Sequence, residues 1–279
     1  MGGKEIYLAP MDNINDAAFR MICKKAGAKR TYTNMVFLDL NQKLYLQDKP
    51  IIQIVCKDEK RLASFMKKYD SKVSGWNLNL GCPGKLAEDG RYGAFLTDTK
   101  IIEKILIIMR DNTKKTLSVK LRKTPITKKI IRIANKYCDE IVIHPRTTKQ
   151  GYMDVPDIKF AKSLRKETNL PIIYSGNINE KNCDRFLDYF DGVMIGRNAI
   201  GNPEIFSKLC KNKKKINFLN YLEFASKYKI PFLQVKFQAI NFNNRIPGGE
   251  RYILKILKAK NIRRLRYMFN WTYKCLLVK

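Results

Sequence analysis

One cysteine at the end of an apolar strand is the residue best placed to do chemistry. Asn77-Leu78-Asn79-Leu80 alternates polar and apolar positions and runs into Gly81-Cys82-Pro83, with Lys85 and Gly93-Ala94-Phe95-Leu96 beyond. Pro83 has a fixed φ and no backbone N–H, so the turn that carries the thiol is stiff. A thiol held there could be a nucleophile, a proton donor or a metal ligand. Taken alone, it is as readily a buried structural cysteine, the usual fate of the residue. The chain has seven cysteines, none in a Cys-x-x-Cys pair, and one histidine. That pattern predicts no zinc or other metal site.

Other unusual residues fall at strand ends too. Pro10-Met11 follow the first strand, Gln53 interrupts an apolar run, and Asn79 precedes the cysteine. Lys120 lies between Val119 and Leu121, and His144 and Arg146 flank Pro145. Ser175-Gly176-Asn177 and Gly196-Arg197 end the last two strands. Each has a bland reading: a snorkelling lysine, a satisfied core amide, a structural histidine. Together they describe one rim, with backbone N–H groups and Arg197 suited to a phosphate.

The elements that would position them alternate regularly. Short β-rich runs occur at 5–10, 30–35, 51–55, 76–80, 117–121, 140–144, 171–176 and 192–196. Between them, 16–26, 59–68, 99–110, 127–137 and 180–189 carry apolar residues at helical spacing. Eight such units predict an α/β fold, a TIM (β/α)8 barrel. A doubly wound sheet is the competitor, disfavoured by the count of eight and by the lack of Gly-x-Gly-x-x-Gly after the first strand. After Asn202-Pro203 the pattern changes. Phe218, Leu222, Ala225 and then Phe232, Val235, Ala239 fall at helical spacing, and 243–249 reads as a turn. The expected division is a barrel over 1–210 and a small C-terminal helical bundle over 211–279.

The formal charge is +30, and its distribution is uneven. From Asn212 to Lys279 there are 16 Lys plus Arg against two acids, a surplus of 14 in 68 residues. A polyanion is the expected partner, and nucleic acid is the commonest. No apolar run reaches the ~18 residues of a membrane span, and the N-terminal residues match no signal peptide. The expectation is a cytoplasmic protein with no membrane contact and no stable protein partner, a monomer whose cysteines suit a reducing compartment.

Leu8-Ala9-Pro10-Met11, Ile52-Gln53-Ile54, Asn79-x-Gly81-Cys82-Pro83, Val119-Lys120, His144-x-Arg146-Thr147 and Met194-Ile195-Gly196-Arg197 stand in an order and spacing that resembles the tRNA-dihydrouridine synthases. The resemblance covers the barrel to about Phe206; the last segment is similar only in being short, helical and basic. It implies FMN at the barrel mouth, NADPH (or NADH) as reductant, and reduction of the C5–C6 double bond of uridines in tRNA. It also implies roles: Pro10, Met11, Gln53, Lys120 and His144 around the flavin ring, with Ser175, Gly176, Asn177, Gly196 and Arg197 on its phosphate and ribityl chain. Asn79, Lys85 and Arg146 would meet the substrate. Cys82 matches the catalytic cysteine, the donor of a proton to C5 while hydride reaches C6. An ordinary thiol is protonated at neutral pH and suits that task.

The chain departs from the family pattern in several places. Asn77 and Asn34 stand where acids are usual, Ser175 and Asn177 replace the residues expected around Gly176, and Pro145 replaces a glycine. Two other readings compete: a small-molecule FMN barrel oxidoreductase, and a non-catalytic RNA-binding protein on a relic barrel. The first gives no role to the basic terminal helices. The second does not require Cys82, Lys120 and Gln53, which are all present.

Overall fold

In a computed structural model, residues 4–38, 40, 42–212 and 214–277 are described, with side chains through Tyr273. Eight parallel strands close into a barrel in sequence order. They are β1 (Ile6–Leu8), β2 (Arg30–Phe37), β3 (Ile51–Val55), β4 (Gly75–Leu80), β5 (Thr116–Arg122), β6 (Glu140–His144), β7 (Ile172–Ser175) and β8 (Gly192–Ile195). All five residues of β3 and all six of β4 are buried. Parallel strands covered on both faces require such runs. The first strand is shorter than the sequence predicts. Ala9 N–H still bonds Ile195 O at 2.8 Å, and Pro10, which lacks an N–H, ends the ladder.

Helices α1 (Ala17–Ala26), α2 (Leu62–Tyr69), α3 (Lys85–Gly90), α4 (Thr99–Asp111), α5 (Thr127–Tyr137), α6 (Ile158–Ser163), α7 (Cys183–Leu187) and α8 (Glu204–Leu209) follow the strands, except that β2 reaches β3 through a loop. In α4, Asp98 accepts from the N–H groups of Lys100 and Ile101, and Ile102, Ile105, Leu106 and Met109 form its buried stripe. The helix at 180–189 begins only at Cys183, because the Asn179 and Asn182 side chains fold the preceding backbone into a turn.

Inside the barrel, Tyr7, Ala9, Tyr32, Ile51, Val142, Ile173 and Met194 pack together. Below them the buried Glu140 carboxylate accepts from Arg30 at 2.7 Å, Tyr32 at 3.2 Å and Tyr7 at 3.3 Å. Burial pushes its pKa up. This end is a polar plug, opposite the mouth.

Beyond the barrel come α9 (Phe218–Lys227), α10 (Phe232–Asn243), α11 (Ile253–Leu257) and α12 (Ile262–Leu277). Their buried residues Phe218, Tyr221, Leu222, Val235 and Phe269 belong to the same apolar cluster that joins the strands to α1. Asp16 pins the seam. One carboxylate oxygen caps α1, and the other accepts from Gln238 at 2.9 Å and from Gln234 and Tyr221 at 3.3 Å each.

Candidate active site

The register of β3, β4 and β5 places Gln53 beside Asn77, Asn77 beside Ser118, and Asn79 beside Lys120. These polar residues fill the barrel interior just under its mouth and form a continuous ladder. Asn77 donates to Ser118 Oγ at 2.8 Å, Gln53 donates to Asn77 Oδ1 at 2.6 Å, and Asn79 donates to Gln53 Oε1 at 3.0 Å. Asn79 Oδ1 then accepts the N–H groups of both Gly81 and Cys82 at 3.0 Å. Buried amides are costly unless paired, and here each one fixes the next. Asn77, where an acid is usual in the pattern, therefore acts as both donor and acceptor.

The Cys82 loop is held from three further sides. Cys82 O accepts Ala94 N–H at 3.0 Å. Gly93 sits at φ +61°, and a Cβ on it would come within 2.9 Å of Cys82 O, so the turn requires glycine. Arg122 donates through Nε to Gly81 O at 3.1 Å and through Nη1 to Thr147 O and Gln150 O. Arg122 was not singled out from the sequence. Its signal is there, because Ser118, Lys120 and Arg122 alternate on one face of β5.

Lys120 is half-buried beside this loop. Desolvation first, then the neighbouring Arg122, pulls its pKa down to about 8, while Cys82 acts the other way. His144 ends β6. Burial, then Lys120, Arg122, Arg146 and Arg197, push its pKa down to about 2, so the imidazole is neutral. Arg146 Nη1 lies 3.1 Å from His144 Nε2. A guanidinium only donates, so Nε2 is the acceptor and Nδ1 carries the proton.

Arg146, expected among the substrate contacts, is fully buried. It donates to Asp154 O, Tyr152 O and Asn177 Oδ1, and in this arrangement it braces the rim from beneath. Asn177, at φ +51°, also accepts from Arg197 at 2.9 Å. Arg197 is exposed and lies over the Tyr152 ring at 4.4 Å. Gly196 is next to Met11, whose Sδ would be 3.7 Å from a Cβ placed there. Pro10 and Met11 are half-buried at this seam, while Ser175 and Gly176 are buried at the end of β7. Lys85 stands apart, exposed on α3 and paired with Glu88 and Asp89. Asn34 accepts the Asn15 N–H at 3.0 Å and borders a cavity of about 350 Å³ between the β2–β3 loop and the start of α10.

Lys120, Arg122, Arg146 and Arg197 make no salt bridge among the described residues. Four cations outside any salt bridge and an Nδ1–H donor form a donor set for an anionic, acceptor-rich ligand. A flavin phosphate and the carbonyl edge of a flavin ring fit that chemistry.

The fold is shared with solved barrels of low sequence identity. The old yellow enzyme homologue of Zymomonas mobilis superposes with a TM-score of 0.55 at 10% identity, covering 78% of this chain and 92% of that one. Mandelate oxidase gives 0.51 at 12% identity, covering 75% and 70%. The model of the dihydrouridine synthase (Dus) family matches residues 7–245. A probable tRNA-dihydrouridine synthase of Helicobacter pylori is 31% identical over 76% of this chain and 72% of its own length. That of Aquifex aeolicus is 25% identical, covering 94% and 93%. A rat tRNA-dihydrouridine(16/17) synthase [NAD(P)(+)]-like protein is 28% identical over 74% of this chain, which spans only 52% of that relative. The chain belongs to the dihydrouridine synthase family. Among the described residues, no helix is long and apolar enough to cross a membrane.

Proposed function

We propose that this chain is a tRNA-dihydrouridine synthase that reduces the C5–C6 double bond of uridines in tRNA, with FMN as cofactor and NAD(P)H as reductant. The observation that carries the reading is the placement of Cys82. It lies at the carboxyl end of β4, is fixed by Asn79, and is next to a rim of cations that form no salt bridge among the described residues. Bound FMN would supply the hydride for C6 of the uracil.

The chain's own groups account for the rest. The Cys82 thiol donates the proton to C5. Lys120 and the Nδ1–H of His144 hold the polar edge of the flavin, and Gln53, oriented by Asn77 and Asn79, adds an amide contact. Pro10 and Met11 pack against the ring. Ser175, Gly176, Asn177, Gly196 and Arg197 receive the phosphate and ribityl chain. Asn79 and Lys85 face the substrate, and Arg146 acts through Asn177 and His144.

The basic segment 211–279, proposed as the tRNA-binding unit beside a catalytic barrel of 1–210, would grip RNA backbone by charge and shape. The uridine must leave its stack to reach the mouth. The enzyme would act as a cytoplasmic monomer, and its widely spaced cysteines suit a reducing compartment. The test is incubation of unmodified tRNA with the protein, FMN and NADPH, followed by nucleoside mass spectrometry. A uridine-derived product two mass units heavier than uridine supports the assignment, and its absence with flavin bound and reduced refutes it.

A further inference from the structure

We propose that the outward stripe of α12 is a stacking surface for an unpaired base of the RNA substrate, an inference that rests on the tRNA-acting reading above. The helix buries Leu265, Phe269 and Thr272 against the rest of the protein. On its opposite side Arg263, Arg264, Tyr267, Asn270 and Trp271 fall at i, i+1, i+4, i+7 and i+8, all exposed. Tyr267 is 65% exposed and Trp271 51%. Two large aromatics on the solvent side of a helix that already has a buried face are not needed for packing.

Their surroundings say what they fit. Trp271 meets Tyr252 edge-on, with centroids 6.0 Å apart at 78°. Arg251 and Lys255 lie over the Tyr252 ring at 5.4 and 5.7 Å, and Arg264 over Tyr267 at 5.8 Å. From Arg251 to Lys279 the sequence has nine Lys plus Arg and no acid. Among the described residues none of those cations forms a salt bridge.

An apolar peptide would leave these charges unmatched. A lipid surface would favour a continuous apolar stripe, and here arginines and an asparagine interrupt it. RNA supplies phosphates for the cations and π-faces for the rings at one spacing. A duplex hides its base faces within the stack, so the occupant is a base in a loop or at an end.

The chain carries its own reporter. Of its two tryptophans, Trp76 is fully buried, its indole N–H bonded to Asp70 at 2.8 Å, and only Trp271 is exposed. The FMN-loaded protein is titrated with unmodified tRNA and, separately, with a blunt RNA duplex, following tryptophan emission. The expected result is quenching by tRNA and not by the duplex. Trp271→Ala, which removes the reporter and is therefore followed by filter binding, should bind tRNA about five- to hundredfold more weakly, with an unchanged salt slope, as removing a stacking contact does. Trp271→Phe should recover most of the affinity. Arg263→Gln or Arg264→Gln should instead flatten the salt slope by roughly one each.

The proposal is overturned if wild type binds tRNA without quenching, or if Trp271→Ala binds as tightly as wild type. Trp271 emission that changes with protein concentration without RNA would assign the stripe to self-association and also overturn it. A wild-type protein that binds no tRNA would refute the uridine-reducing function itself, and this inference with it.

Discussion

Asn79 accepts the backbone N–H of Cys82 at 3.0 Å while its own amide donates to Gln53 at the same distance. One side chain thus couples the position of the thiol to the polar ladder inside the barrel. Asn79→Ala would leave the N–H groups of Gly81 and Cys82 and the Gln53 carbonyl without their partner. The expected loss of stability is about 1–3 kcal/mol, the cost of unsatisfied buried polar groups, read by chemical denaturation. Product formation should fall further than flavin affinity, because the cysteine is displaced while the rim cations stay.

Cys82→Ala should bind flavin and accept electrons from NADPH as wild type does. Dihydrouridine formation should drop by about 10²–10⁴, the usual worth of a general acid. Single-turnover assays that follow flavin and nucleoside together check this. Wild-type-like turnover would remove Cys82 from the role.

Lys120 loses its proton as pH rises through about 8. A cation at this site favours an anionic reduced flavin over the neutral oxidised form. Lys120→Met should therefore lower the reduced-to-oxidised affinity ratio by roughly tenfold at pH 7, an effect of about one pKa unit. The gap to wild type should close above pH 8, where the wild-type lysine is itself neutral. Potentiometric titration across pH 6.5–9 measures it.

His144 gives a stability signature with a definite sign. Its folded pKa lies near 2, against about 6.5 in an unfolded chain. Below pH 6.5 the unfolded state takes up a proton that the folded state refuses. Stability is thus present above pH 6.5 and lost as pH falls, by up to about 1.4 kcal/mol per unit. The raised carboxyls of Asp16 and Glu140 slope the opposite way, but both remain in His144→Gln. The difference between wild type and that variant over pH 6.5–5 isolates the chain's only histidine.

Asp16 caps α1 and holds Tyr221, Gln234 and Gln238 of the C-terminal helices. Asp16→Ala removes a cap and strands buried donors. The expected cost is about 2–4 kcal/mol, with a loss of tRNA affinity larger than any change in flavin affinity.

The barrel was legible because parallel strands buried on both faces need long apolar runs, and the residues that break those runs stood out. Gln53, Asn79, Lys120 and His144 were found that way. The structure brings Arg146, Asn177 and Arg197 together although they come from three different loops. Alternation alone could not rank Asn77 or Arg122, since their roles depend on strand register: Asn77 bridges Gln53 to Ser118, and Arg122 reaches Gly81 across the β4–β5 pair. Arg146 is expected among the substrate contacts only through the family resemblance, and nothing local in the sequence shows its burial. The fold of residues 147–157 instead wraps it with carbonyls. The seam at Asp16 was hidden for a similar reason, because its partners lie more than 200 residues away.

The most direct measurement is anaerobic. The protein is loaded with FMN and reduced with NADPH, and its flavin absorption is followed as unmodified tRNA is added. Recovery of the oxidised spectrum with tRNA, and not with orotate or a simple enone, is the predicted result. A bound, reduced flavin that tRNA leaves unchanged while a small enone reoxidises it would contradict the account and make this barrel a small-molecule reductase.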